Sequence, residues 1–161
     1  MTRNKYATLA MVAGAVLVAD QATKALVLAR LPLGGAFTVV PGFFDITHVH
    51  NPGGAFGFLA GMGPGLRAFL FIGVTVLVAA MILYLYRQTP GGQRLLLTGL
   101  ALVFGGALGN LVDRVRFGVV VDFLDVYVGD LHWPAFNIAD SAITVGVFIF
   151  AVNALFRKAP G

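Results

Sequence analysis

Cysteine and glutamate are absent from the 161 residues, charged side chains make up only 11%, and tryptophan occurs once. Without cysteine the chain cannot form disulfides, thiolate metal sites or a cysteine nucleophile. Without glutamate all seven acids are aspartates, and only His48, His50 and His132 supply imidazole. Acid–base chemistry must therefore come mainly from aspartates, hydroxyls and Lys/Arg. A soluble domain carries about a quarter charged residues. Here 58% of residues are hydrophobic, too many for one core, so lipid must act as part of the solvent. The net charge of +4 is not gathered into a basic patch interleaved with aromatics, so no nucleic-acid partner is expected. The basic residues punctuate apolar runs, as membrane flanks do.

Four apolar stretches approach the roughly 20 residues that cross a bilayer as a helix: about 7–28, 68–86, 95–112 and 138–156. The run Gly73-Val74-Thr75-Val76-Leu77-Val78-Ala79-Ala80 is β-prone in water, but lipid favours helix because every backbone group must be satisfied internally. The first stretch also has features of a cleaved export signal: Arg3 and Lys5, an apolar run, then small residues near Ala19. Asp20 and Lys24 argue for a retained span, since they lie one helical turn apart and can pair. The connection over 87–94 is a short turn with Pro90, Gly91 and Gly92. Those over 30–66 and 113–137 are long. Alternation around Phe37–Val40 and Phe43–His50, with Pro41-Gly42 between, suggests short strands. No repeat or linker divides the chain, so one domain is expected.

Four spans place both termini on one side with Arg3, Lys5, Arg87, Arg94, Arg157 and Lys158. The other side has Lys24, Arg30, Arg67, Arg114 and Arg116. Counting basic residues favours cytoplasmic termini. All seven aspartates lie in or beside the long-loop side, which locates the chemistry there.

Ionisable groups at membrane depth are costly, and they pair or work. Asp20-Gln21-Ala22-Thr23-Lys24 reads as an internal ion pair or as an anchor for a polar site. Asn51-Pro52-Gly53-Gly54-Ala55-Phe56-Gly57 reads as a turn, or as a loop whose Asn51 amide meets an extended peptide. His48 and His50 share a strand face, but no third ligand has suitable spacing for zinc, and no metal is expected. In Gly105-Gly106-Ala107-Leu108-Gly109-Asn110-Leu111-Val112-Asp113-Arg114, small residues allow close helix approach, and Asn110, Asp113 and Arg114 share one face. Helix capping accounts for Asn137 and Asp140 taken alone. Asp122, after Val119-Val120-Val121, needs a partner. Two nearby carboxylates can share a proton, one activating water while the other polarises a carbonyl.

These motifs, in this order and spacing, resemble the lipoprotein signal peptidase (signal peptidase II) family over nearly the whole chain. The resemblance rests on Asp20 to Lys24, Asn51 to Phe56, Gly109 to Arg114, Val120-Val121-Asp122-Phe123 and Phe136-Asn137-Ile138-Ala139-Asp140. It implies an α-helical membrane protein of four transmembrane helices with cytoplasmic termini and a small extracytoplasmic β-cradle. It implies an aspartyl endopeptidase of the bacterial inner membrane whose dyad is Asp122 and Asp140, at the outer face. Asn51, Asn110, Asp113, Arg114 and Asn137 match supporting or substrate-contacting positions, and Asp20 with Lys24 anchors the site. The implied substrate is a diacylglyceryl-modified prolipoprotein in membrane lipid, cleaved just before the lipidated Cys. Globomycin-type inhibition, no cofactor and a monomer are also expected. Asp125, three residues after Asp122, would compete for the partner role if it lay on a helical turn.

Two other readings make different demands. A proton-coupled transporter would use Asp20, Asp122 and Asp140 as relays, but the acids cluster on one side and no inverted repeat is visible. A non-enzymatic assembly subunit would use the glycine-rich third span as an interface.

Overall fold

A computed structural model describes residues 4–53 and 62–156. Most of Asn51 to Gly57 beyond Gly53 lies outside the described residues, as do Arg3, Arg157 and Lys158. Among the described residues, four helices are long and apolar enough to cross a membrane: α1 (Lys5–Arg30), α2 (Pro64–Gln88), α3 (Arg94–Phe117) and α4 (Ile138–Phe156). Even the shortest, with 19 residues, reaches about 28 Å at 1.5 Å per residue, close to the hydrocarbon thickness.

The helices differ in what surrounds them. Of the most apolar stretch of α3, 61% is buried inside the protein, against 11% for α2. α3 is therefore the hub, and α2 shows side chains such as Phe69, Val74 and Leu77 outward, as a lipid-facing helix should. Glycines on α3 set the close approaches. A Cβ at Gly105 would meet the α1 backbone at Ala13, and one at Gly106 would collide with the Ala139 carbonyl of α4. Without a hydrophobic force between helices in lipid, such small-residue contacts hold them together. At the opposite end of the bundle, the Lys5 ammonium donates to the carbonyls of Arg87 at 2.8 Å and Thr89 at 3.1 Å. A cation there suits the negative C-terminal end of α2.

Outside the bundle lies an antiparallel sheet ordered β1-β2-β3-β4: β1 (Ala36–Val40), β2 (Phe44–Asn51), β3 (Val120–Val128) and β4 (Leu131–His132). Pro41-Gly42 makes the β1–β2 turn, with Gly42 at φ 78°. β2 and β3 come from the two long loops and pair Val49 with Asp122 and Asn51 with Val120. α3 continues to Phe117, beyond the apolar run that ends near 112, and Gly118 stops it in the left-handed conformation at φ 73°. Asp113 and Arg114 are thus helical, and the chain turns directly into β3.

Candidate active site

Asp20, Lys24, Asn51, Asn110, Asp113, Asp122, Asn137 and Asp140 converge where the sheet-side ends of α1, α3 and α4 meet β2 and β3. Asp122, on β3, is 2% exposed. Its Oδ2 accepts from the Asn51 side chain at 3.0 Å and its Oδ1 from Asn137 at 2.7 Å. Asp140, in the first turn of α4, accepts from the Asn110 amide at 2.7 Å.

Three asparagines thus aim their NH2 groups at two carboxylates, and each is held in that orientation from behind. The Asn51 carbonyl accepts the Gly53 N–H at 2.9 Å. Asn137 caps α4, its carbonyl accepting the Asp140 N–H at 2.9 Å. The Asn110 carbonyl accepts from the Lys24 ammonium at 3.1 Å and the Asn137 amide at 3.2 Å. An amide has one acceptor end and one donor end, so an obligate donor at the first fixes the second. Among the described residues, the side-chain hydrogen bonds to both carboxylates come from these amide donors.

A second layer supports these groups from α1 and α3. Lys24 bridges Asp20 and Asp113, both at 2.8 Å, and all three side chains are nearly inaccessible. With Asn110, they occupy the three hydrogens of the ammonium. Asp20 also accepts the Ala139 N–H of α4 at 2.9 Å, and Asp113 accepts the Val121 N–H of β3 at 3.1 Å. Gln21, to which the sequence pattern alone attaches no role, donates to Asp113 at 3.0 Å and to the Gly109 carbonyl at 3.2 Å. Its place beside Asp20 on a span was the available signal. Among the described residues no buried side-chain N or O atom lacks a partner, as buried polar networks require.

Electrostatics separates Asp122 from an ordinary carboxylate. Burial pushes its pKa from 3.8 up to about 7, against the hydrogen bonds from Asn51 and Asn137 and the Lys24 charge, which lower it. Asp140 is near enough for its charge to raise it further. The Arg114 guanidinium lies within electrostatic reach of Asp113, Asp122 and Asp140 and stands 5.5 Å over the Phe71 ring of α2. A groove of about 420 Å3, lined by Trp133, Phe136, Ser141, Thr144 and Val145, opens onto Asp140 from the side of α4.

Asp125 lies apart from this arrangement. It sits on the nine-residue strand β3, not on a helical turn, so a separation of three points it to the face opposite Asp122. It accepts from His132 at 2.9 Å. His48 and His50 bond each other through their Nε2 atoms at 3.2 Å, and the His48 Nδ1 bonds the Leu31 carbonyl.

Comparison with solved structures defines the class first. Two structures described as bacterial membrane enzymes superpose with TM-scores of 0.83 and 0.84, at 34% and 32% identity. The alignments cover 95% and 96% of this chain, and 95% and 93% of the others. The fold is that of a multi-pass membrane enzyme. Residues 12–156 match the family model for signal peptidase (SPase) II, and the chain belongs to that family of peptidases. A lipoprotein signal peptidase of Desulforapulum autotrophicum is 52% identical, with 99% of each chain covered. Proteins of the same name from Syntrophus aciditrophicus and Geobacter metallireducens are each 48% identical, covering 91% and 93% of this chain and 91% of each relative.

Proposed function

We propose that this peptidase is an aspartyl endopeptidase that releases signal peptides from diacylglyceryl-modified prolipoproteins by cleaving just before the lipidated Cys. One observation carries the mechanism: two neighbouring carboxylates, Asp122 and Asp140, are each met by fixed amide donors, and burial holds Asp122 up near neutrality. Such a pair keeps one proton at physiological pH because two adjacent anions repel.

The ionised member takes a proton from a water molecule, and the resulting hydroxide attacks the scissile carbonyl carbon. The protonated member donates to the carbonyl oxygen, giving a neutral tetrahedral diol. Collapse re-forms the carbonyl as the C–N bond breaks. The proton gained from water passes to the leaving nitrogen, and a diol hydroxyl returns a proton to the other carboxylate. Asp122 is the better holder of the shared proton. The Asn51, Asn110 and Asn137 donors keep both carboxylates oriented, so little reorganisation is needed at the moment of reaction. Arg114 balances the charge of the cluster. Asp20, Lys24 and Asp113 hold α1, α3, α4 and β3 together behind it.

The setting suits a lipid-anchored substrate. Such a molecule diffuses in the bilayer plane, and the lateral groove beside α4 leads to Asp140, so the scissile bond is pre-oriented. The chain is read as one domain of the bacterial inner membrane, with cytoplasmic termini and the sheet outside. Globomycin-type cyclic peptides would occupy the dyad. The test is incubation of the purified protein with a diacylglyceryl-modified prolipoprotein. Cleavage before the Cys, absent with the unlipidated precursor, is expected. Equal cleavage of both would refute the lipid requirement, and cleavage of neither would refute the function.

A further inference from the structure

The three asparagines around the carboxylates differ in what locks them. Asn51 and Asn137 are held by backbone N–H groups, of Gly53 and Asp140. Only Asn110 is held by side chains, Lys24 and Asn137. The Asn137 contribution is the weaker. That NH2 group gives its short bond to Asp122, at 2.7 Å, and its other hydrogen is shared between Asn110 and the Val121 carbonyl at 3.3 Å. A charged donor makes a bond roughly twice as strong as a neutral one, so the ammonium dominates. We infer that Lys24 is a positioning residue for the reaction: by holding the Asn110 carbonyl, it compels the Asn110 NH2 group to donate to Asp140.

This deepens the proposed mechanism and rests on it. Among the described residues the amide is the hydrogen-bonded link from Lys24 to the Asp140 carboxylate. Lys24 reaches Asn110 and the carboxylates of Asp20 and Asp113, and of these Asn110 is the one that bonds the Asp140 side chain. Turning the amide over would bring its carbonyl against the Asp140 carboxylate, two acceptors face to face. That arrangement is tolerable only when the carboxyl carries a proton. The orientation of one amide thereby sets which protonation state of the pair is available. The charged groups around Asp140 that share in this are Asp20 and Lys24 on α1, Asp113 and Arg114 on α3, and Asp122 on β3.

Lys24 also contributes its charge, and two substitutions separate charge from donation. Lys24→Met removes both. Lys24→Gln removes the charge but keeps an N–H donor on nearly the same reach. The measurement is the pH–rate profile, with kcat and KM, for cleavage of a diacylglyceryl-modified prolipoprotein by full-length protein in detergent micelles. Thermal denaturation confirms the fold of each variant. Lys24→Met is expected to lose on the order of a hundredfold in kcat with little change in KM, and its profile should move by about one pH unit to higher pH. Lys24→Gln, which loses the charge but keeps a donor, should stay within about tenfold of the parent and move the profile less than Lys24→Met does. Equal shifts in both variants would overturn the inference in favour of charge alone. An unshifted Lys24→Met would overturn it outright. Failure of both to fold would make Lys24 a folding residue and equally defeat it. A parent protein that cleaves no prolipoprotein would instead defeat the proposed function.

Discussion

Asp20, two-thirds of the way along the first membrane helix, accepts the backbone N–H of Ala139 in the opening turn of the fourth at 2.9 Å. Its other oxygen meets Lys24. One carboxylate therefore caps a distant helix and neutralises its own neighbour. Asp20→Ala leaves a buried N–H unpaired and breaks a buried ion pair, a loss of about 3–5 kcal/mol. Asp20→Asn, which keeps an acceptor, should cost less. Thermal denaturation in micelles measures both. In a double-mutant cycle, Asp20 and Lys24 should couple by more than about 1 kcal/mol; additivity would count against the pair.

Asp122→Asn and Asp140→Asn should each reduce cleavage by several powers of ten while leaving a folded, membrane-inserted protein. Each replacement is nearly isosteric but cannot hold or release the shared proton. Near-normal turnover in either variant removes that residue from the dyad.

Asp125→Asn should keep activity within about tenfold, roughly 1.4 kcal/mol of barrier. Its carboxylate is on the opposite face of β3 and bonds His132. Globomycin affinity should survive this change and weaken with Asp122→Asn. A dead Asp125→Asn enzyme beside a live Asp122→Asn one would reverse the assignment.

Much of this architecture was legible in the residues. Lipid demands about 20 apolar residues per helix, so the four spans announce themselves, and Asp20 with Lys24 fits the first because the pair is internal. Pro41-Gly42 between alternating runs announces the β1–β2 hairpin. The pairing of β2 with β3 is different, because Asn51 and Val120 are neighbours only after three helices have packed. The continuation of α3 to Phe117 was also hidden, since its last turn carries Arg114 and Arg116 and leaves the apolar pattern. Aspartates and asparagines were visible as a set. What no spacing reveals is which end of each amide faces which carboxylate, because that depends on donors such as Lys24 and the Gly53 N–H.

A shared proton held by Asp122 would give a pH dependence with a definite sign. Burial pushes the Asp122 carboxyl pKa up to about 7. With Asp122 as the protonated partner, kcat should fall as pH rises through that region. Asn51 donates to the carboxylate and so favours ionisation. Asn51→Ala should therefore move the alkaline limb to higher pH. A limb that stays fixed, or moves down, contradicts this role for Asp122.

Gly106→Ala should destabilise the protein by about 1–3 kcal/mol, as overpacking does. The added methyl would meet the Ala139 carbonyl, which is backbone and cannot swing aside. Because Ala139 adjoins Asp140, cleavage should drop more than for Gly14→Ala, where the new Cβ meets nothing within 4 Å. Thermal denaturation and turnover of the two variants decide it.

The Asp20–Lys24 contact has a further consequence for how the molecule is made. Synthesis proceeds from the N-terminus, so α1 is complete before Asp113, Asn110 and Ala139 exist. During that interval the two charges can already pair with each other, one turn apart and at 2.8 Å in the finished protein. Within the first span these two opposite charges can cancel while the helix waits in the bilayer. It exchanges self-compensation for the shared network when α3 and α4 arrive. Until the last helix is in place Asp140 is absent, and the candidate site is incomplete throughout insertion.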